Sequence, residues 1–280
     1  MTEEGGRRSK RDDRASLFDE LTLFVARYPD RYASETTWGE PLAGVASASD
    51  PLFAELRTLV GPTHALPGEL LDGARSVIAY FLPFDRAVPR SNRDTRLASE
   101  IWARAYVETN QLIIDLNQHL AALLEKRGER AALPPPTHNF DTRTLRSDWS
   151  HKHVAFIAGL GRFGVHHQLI TAHGCGGRLG SMVTSLELEP TPRDESERCL
   201  KRAGFECLAC VRRCPIDALG ADSLDKQACY ALLLENETEH ARLGKADVCG
   251  KCGSRVPCVA SDPVAARARR ALRRELSQKP

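Results

Sequence analysis

The stretch that decides the fold is Cys207-Leu-Ala-Cys210-Val-Arg-Arg-Cys214-Pro215. Its C-x2-C-x3-C-P spacing is that of the second half of the cysteine run that holds two four-iron clusters in bacterial ferredoxins, where the last cysteine ligates the other cluster. A C-x2-C turn can aim two thiolates at one cluster, and the proline ends the loop so that the third can point elsewhere. We therefore expect an iron–sulfur module, with Cys199 as the missing first ligand before a lengthened loop.

The remaining cysteines complete a second set of ligands. Cys249 and Cys252 form another C-x2-C pair, Cys258 follows after a longer gap, and Cys229 lies between the two groups. Exchanged ligation then divides the eight cysteines of 199–258 between two clusters without remainder. Site I is predicted to consist of Cys199, Cys207, Cys210 and Cys258, and site II of Cys214, Cys229, Cys249 and Cys252.

Structural zinc is the alternative to iron. The pairs Cys207/Cys210 and Cys249/Cys252 could make a four-cysteine zinc ribbon, although 38 residues separate them. That arrangement leaves Cys214 and its proline, together with three further cysteines, without a role. The pattern therefore favours iron–sulfur clusters.

The composition is that of a globular protein. The 280 residues are 42% hydrophobic and 27% charged, with a net charge of +2. No apolar run approaches the roughly 20 residues of a membrane span, and the polar N-terminus shows no secretory signal. These features exclude a membrane protein, a collagen and a coiled coil. They predict a cytoplasmic location, where clustered cysteines are more often metal ligands than disulfides.

Four regions are predicted along the chain. They are a disordered start over 1–15, a mixed helix and strand domain over 16–190, a cysteine-rich module with little regular structure over 191–262, and a basic helix over 263–280. The apolar run 77–82 predicts a buried central strand, and the leucine spacing over 95–127 predicts the longest helix. The first helix is expected to begin at Ser16 and to stop at Pro29, and a half-buried strand is expected over 182–188.

Glycine-rich turns occur after the middle of the chain. Gly159-x-Gly161-x-x-Gly164 matches the dinucleotide-binding fingerprint by letter. That fingerprint requires a strand before its first glycine, whereas 149–158 has helical character. We expect these glycines to form a turn or to let the backbone approach a flat ligand. Cys175, between two further glycines, is expected either in a tight turn or as a reactive thiol.

Polar residues crowd the same part of the chain, and five of the nine histidines lie within 151–173. One interpretation is a pocket with proton donors, and the other is a solvated segment with ordinary histidines. Asp148 and His151 are the candidate catalytic acids, because residues three apart on a helix share a face. Tyr106 is the next candidate, and Lys152 is expected to face away from the pocket.

Several segments resemble the epoxyqueuosine reductase family. They are 50–53 (DPLF), 74–78 (ARSVI), 149–153 (WSHKH), 158–161 (AGLG), 169–171 (LIT) and 180–184 (GSMVT), followed by the cysteine module. The resemblance spans 35–262. It implies an α/β (α+β) fold, in which a nitroreductase-like cobalamin-binding domain precedes a two-cluster ferredoxin-like module.

The same resemblance implies a function. It implies two 4Fe-4S clusters and cobalamin as cofactors, with electrons relayed through the clusters to the cobalt for reduction of an epoxide or a similar electrophile. It also implies an external low-potential electron donor of the flavodoxin or ferredoxin type. The cobalamin pocket is expected to include the 158–184 segment, with Gly159, Gly161, Gly164, His166, Gly174 and Cys175 as binding residues. No D-x-H-x-x-G motif is present, so no histidine of the protein is expected to ligate the cobalt.

Two features depart from the tRNA-modifying members of that family. Leu145 stands where those members carry an acidic residue, and the sequence has no helical-repeat domain after its basic helix. The family resemblance therefore leaves tRNA open as a partner. The rival interpretation is a non-catalytic electron carrier whose N-terminal domain docks a partner. We favour an enzyme, because the domain over 16–190 is large for a simple ferredoxin.

Overall fold

The computed structural model describes residues 9–93 and 95–277, with side chains as far as 274 in the last helix. The helices are α1 (Lys10–Tyr32), α2 (Leu52–Leu59), α3 (Pro67–Leu70), α4 (Ala87–Ser91), α5 (Glu100–Glu125), α6 (His151–Ile157), α7 (Ala209–Arg212), α8 (Lys226–Glu239) and α9 (Pro263–Ser277). The strands are β1 (Leu42–Ser47), β2 (Ser76–Pro83), β3 (Ala131–Ala132), β4 (Phe140–Asp141), β5 (Arg146–Ser147), β6 (Gly161–Phe163), β7 (Leu169–Thr171) and β8 (Gly177–Thr184).

The main sheet has the strand order β1-β2-β8-β3, and its neighbouring strands are all antiparallel. β2 lies at its centre and every residue of β2 is buried, so the predicted central strand is confirmed. Ser76 of β2 is paired with Ser47 on one side and with Thr184 on the other. Small hairpins, β4-β5 and β6-β7, lie outside this sheet.

Helices cover both faces of the sheet. Ile78 and Tyr80 of β2 belong to a core cluster with α1 and α5, whereas Val77 and Ala79 belong to a second core cluster with α2 and α6. Successive side chains of a strand point to opposite faces. Burial of both faces explains why β2 is a continuous apolar run and does not alternate. The mixed helix and strand architecture is the one expected.

The first helix is longer than predicted. Ser9, not Ser16, caps it by accepting a hydrogen bond from the amide of Asp12, and the helix continues past Pro29 to Tyr32. Its apolar stripe against α5 stabilises a helix that local signals alone would interrupt. The expectation of disorder over 1–15 is therefore wrong for 10–15, and 1–8 lie outside the described residues.

Two further elements differ from expectation. β8 ends at Thr184, where a strand over 182–188 was predicted, and begins at Gly177. A Cβ at Gly177 would lie 2.2 Å from the carbonyl oxygen of Leu82, so β2 comes too close for any residue but glycine. Because glycine has a low strand propensity, the sequence does not indicate this start of the strand. The cysteine module contains the regular helix α8, because Asp225 caps its first turn through the amide of Ala228.

Candidate functional site

The four cysteines of site I line one narrow cavity. Cys210 belongs to α7, and Cys199, Cys207 and Cys258 reach it from three loops. Four soft thiolates converging on one space are a donor set suited to an iron–sulfur cluster. The structure thus brings together the four side chains that exchanged ligation requires.

The four cysteines of site II line a different and much larger cavity of about 450 Å3. Cys214 follows α7, Cys229 lies in the first turn of α8, Cys249 precedes a 3-10 turn at Lys251–Gly253, and Cys252 lies within that turn. The two C-x2-C pairs therefore belong to separate cavities. This separation disfavours the zinc ribbon, which needs both pairs around one ion.

Burial changes the acidity of these thiols. It raises the pKa of Cys210 and of Cys249 to about 11, and it raises the pKa of Cys252 further. Cys258 is the exception, because hydrogen bonds from Cys175 and then from His166 lower its pKa to about 5. Buried thiols that are neutral at physiological pH need a cation to hold them as thiolates, which fits metal ligands.

The larger cavity lies between the cysteine module and the sheet domain. Phe84, Trp102 and Leu232 contribute apolar surface to it. Trp102 is 6% exposed, and its indole Nε1 is buried with no hydrogen-bond partner in the described part of the chain. Gly250, with φ +66°, allows the indole to lie against the cysteine loop. An apolar wall of this kind suits a large organic ligand.

A polar network meets the cavity at Tyr106. The Tyr106 hydroxyl donates to Asp247 Oδ1 at 2.7 Å and lies 3.1 Å from the hydroxyl oxygen of Thr137. His138 Nε2 lies 3.0 Å from the other carboxylate oxygen of Asp247. The Arg178 guanidinium lies 4.2 Å from the centroid of the Tyr106 ring. Burial raises the pKa of Tyr106, so the phenol keeps its proton at neutral pH.

The two acids predicted first are not in the cavity. His151 is buried behind it, where Nδ1 lies 2.8 Å from Ser181 Oγ and Nε2 lies 2.8 Å from the carbonyl oxygen of Pro135. Burial lowers the pKa of His151 to about 4, so it is neutral and already bonded at both nitrogens. Asp148 is exposed and accepts a hydrogen bond from the Thr63 hydroxyl at 2.6 Å. The prediction of a shared helix face fails because α6 begins only at His151.

Lys152 faces the cavity, although the sequence predicts that it faces away. It lines the cavity and its Nζ donates to the carbonyl oxygen of His167 at 3.2 Å. Burial lowers its pKa. The lysine predicted to face away is thus the member of α6 that reaches the site.

The predicted cofactor-binding residues separate into two sets. His166 and Cys175 line the larger cavity, as do His167, Gln168 and Arg178 from the same 158–184 segment. Gly159, Gly161 and Gly174 do not line it, because each packs against backbone: a Cβ there would meet Pro192, Ile170 and Ala260 respectively. Gly164 packs against the His166 ring. α6 precedes Gly159, so the dinucleotide fingerprint is absent.

Comparison with solved structures identifies the fold. An epoxyqueuosine reductase from Bacillus subtilis, described with its catalytic Asp loop swung out of the active site, is 18% identical with a TM-score of 0.54, covering 88% of this chain and 67% of that one. The chain has the fold of the epoxyqueuosine reductases. Another structure, of epoxyqueuosine reductase with a modified tRNA-Tyr stem loop, is 19% identical with a TM-score of 0.51, covering 89% of this chain and 71% of that one.

The fold is also shared with a dehalogenating enzyme. A catabolic reductive dehalogenase is 15% identical with a TM-score of 0.58, and the match covers 97% of this chain but 35% of that protein. No protein-family model and no curated protein matches the sequence. The resemblance read from the sequence is confirmed at the level of the fold.

Sequence reasoning missed several residues of the cavity wall. Asp247 and Arg178 of that wall join Tyr106 from distant parts of the chain, and His138 contacts Asp247. Only the position of Asp247, two residues before Cys249, connects it to a recognised motif. In the described residues no helix has the length and apolar character needed to cross a membrane.

Proposed function

We propose that this protein is a cobalamin-dependent iron–sulfur reductase that acts on an epoxide or a similar electrophile. One observation carries the proposal: the cysteines of site II and the phenol of Tyr106 line the same cavity. A cluster can supply electrons to that space and the phenol can supply a proton, which are the two requirements of a reductive cleavage. A simple electron carrier needs neither the cavity nor the phenol.

The electron path follows from the surroundings of the two sites. Site II opens on the large cavity, whereas site I adjoins a surface groove of about 470 Å3 that Arg267, Arg270 and Arg274 line. Leu200 and Pro257, the sequence neighbours of two site I cysteines, form part of that groove. An acidic electron-transfer protein of the flavodoxin or ferredoxin type would dock there and reduce site I. Site I would then pass the electrons on to site II.

The character of the cavity fits cobalamin. Its wall is largely apolar, as suits a large organic cofactor. The volume of about 450 Å3 would enclose part of so large a molecule and not the whole. Bound cobalamin would supply a strongly reducing metal centre for cleavage of the electrophile. His166 is already bonded to Cys258, consistent with a cobalt that has no histidine ligand from the protein.

Tyr106 is the proposed acid. Reduction of an epoxide to an alkene consumes two electrons and two protons and releases the oxygen as water, so a donor must protonate the oxygen as its carbon bonds break. Tyr106 holds its proton at neutral pH, and Arg178 above its ring would stabilise the phenolate that remains. Lys152 is a second group on the cavity wall that carries exchangeable protons.

Cobalamin uptake tests the proposal. Anaerobically reconstituted protein would be mixed with hydroxocobalamin, separated by gel filtration and examined by absorbance and by EPR of the cob(II)alamin state. We expect about one cobalamin per chain and no hyperfine splitting from a protein nitrogen. No uptake by protein that carries its clusters would favour the electron-carrier alternative, and coupling to a protein nitrogen would contradict the proposed pocket.

A further inference from the structure

The β6-β7 hairpin carries a short turn that contacts the cysteine module. The turn is closed by hydrogen bonds from the Gly164 amide to the Gln168 carbonyl oxygen and from the His167 amide to the Gly164 carbonyl oxygen, each 3.0 Å long. His167 at its centre has φ +57°. The side chains on either side of it, His166 and Gln168, both reach cysteine sulfurs, and these sulfurs belong to different sites.

His166 donates to site I. Its Nδ1 accepts a hydrogen bond from the backbone amide of Gln168 at 3.1 Å, so the ring proton is assigned to Nε2. Nε2 lies 3.3 Å from the Sγ of Cys258. The ring is 5% exposed, and water therefore offers little competition for this bond.

Gln168 donates to site II. Its Nε2 lies 3.4 Å from the Sγ of Cys252. The amide is lodged against the loop that carries this cysteine, since a Cβ at Gly253 would lie 2.6 Å from Gln168 Oε1. Only the amide nitrogen can donate to a thiolate, because the amide oxygen would repel it.

Hydrogen bonds to ligand sulfurs alter a cluster's reduction potential. Reduction adds one negative charge, which spreads onto the thiolates, and a donor stabilises the reduced form more than the oxidised form. Removal of a donor should therefore lower the potential of the cluster that it contacts. We infer that this one turn sets the potentials of the two clusters separately, with His166 raising that of site I and Gln168 raising that of site II.

This inference rests on the proposed two-cluster reductase, and its test measures potentials in addition to activity. His166→Phe keeps a ring without a donor, and Gln168→Met keeps a chain of similar length without a donor. EPR-monitored redox titration of each reconstituted variant should show one midpoint lowered and the other unchanged. The lowered midpoint should differ between the two variants. At fixed solution potential we expect about a tenfold fall in the ratio of reduced to oxidised cluster, which is about 59 mV for a one-electron couple.

His173→Phe is the matched control. His173 lies in the next turn and bonds through Nδ1 to the carbonyl oxygen of Glu40 at 3.1 Å, not to a sulfur. The same substitution there should move neither midpoint. As a second measurement, pulsed EPR should lose one exchangeable-proton coupling in each donor variant, a signature that does not depend on the overall stability of the fold.

The outcomes separate the inference from the function on which it rests. Unchanged midpoints in both variants, or the same midpoint lowered in both, would overturn the inference while leaving the two clusters in place. A wild-type protein that assembles no pair of clusters would instead overturn the proposed function.

Discussion

The two cysteine sites have the same chemistry and different surroundings. Site I lines a narrow cavity beside an arginine-lined surface groove, whereas site II lines a cavity of about 450 Å3 that also contains Tyr106. Identical sets of cysteines would thus take different roles because of the space beside them. In the proposed function, site I would receive electrons from outside the molecule, and site II would deliver them to a reacting molecule.

The largest effect should come from two cysteines only four residues apart. Cys214→Ala should remove the site II cluster and abolish turnover with any electron donor, because nothing then reduces the cavity. Cys210→Ala should remove the site I cluster and abolish turnover with a protein donor only. Each variant should retain about four irons. Iron content would be measured, together with turnover of the epoxyqueuosine nucleoside as a trial epoxide, with flavodoxin or with titanium(III) citrate as reductant.

Loss of the same cluster in both variants would contradict the division of the cysteines between sites I and II. Equal loss of the titanium-driven reaction in both would also contradict separate roles for the two sites.

Tyr106→Phe should have the next largest effect. Loss of the hydroxyl removes the proposed acid from the cavity beside site II, and general acids contribute roughly 100- to 10,000-fold to rate. Turnover should fall by that order while both clusters and cobalamin remain bound. Steady-state kinetics and absorbance spectra would be compared with wild type.

Tyr28→Phe is a matched control, because Tyr28 donates to Asp115 at 2.7 Å and does not line the cavity. Normal turnover in the Tyr106 variant, or an equal loss in the Tyr28 variant, would show that the acid lies elsewhere.

The pH dependence of stability tests whether His151 is a structural residue behind the cavity. Its pKa falls from 6.5 to about 4 on burial. The unfolded chain therefore takes up the proton first, so the stability contribution is complete above pH 6.5 and is lost as pH falls from 6.5 toward 4. The loss amounts to about 3 kcal/mol. Urea unfolding of His151→Gln should show a weaker pH dependence in this window than wild type.

Turnover distinguishes the two possible roles of His151. The variant's kcat at neutral pH should be close to that of wild type wherever the protein is folded. A large loss of kcat in a stably folded variant would place His151 in the chemistry and contradict the assignment of the cavity wall.

The smallest effect concerns the groove beside site I. Reversing two charges in Arg267→Glu/Arg270→Glu should slow reduction by flavodoxin about tenfold at low ionic strength, and the difference should shrink at high salt. Stopped-flow absorbance would follow cluster reduction. Arg27→Glu, at an exposed position of α1, is the control for a change of net charge. Tighter binding of a tRNA stem loop to wild type than to the double variant would assign the groove to nucleic acid.

Features that depend on the local spacing of residues could be predicted from the sequence. The division of cysteines between two sites follows from C-x2-C pairs and a C-P step, and the central strand follows from an apolar run at 77–82. The fold class followed from the family resemblance. The C-x2-C pairs and the central strand depend on neighbours in the chain, so one sequence suffices to read them.

The residues of the cavity wall could not be predicted in the same way. Tyr106 and Asp247 are distant in sequence and meet only through packing of α5 against the cysteine loop. Asp148 and His151 were paired by helical spacing, but Asp148 precedes the helix. Gly159 and Gly161 were expected near a ligand, yet backbone occupies the space beside each. Sequence shows that a glycine is needed without showing what approaches it.

The metal and sulfide content of anaerobically prepared protein decides whether the chain holds two clusters. Iron, zinc and acid-labile sulfide would be determined per chain, and the iron would be classified by Mössbauer spectroscopy. We expect about eight irons and about eight sulfides, all in four-iron clusters, with no stoichiometric zinc. A content near four irons, or zinc in place of iron, would contradict two clusters and with them the separate roles of sites I and II.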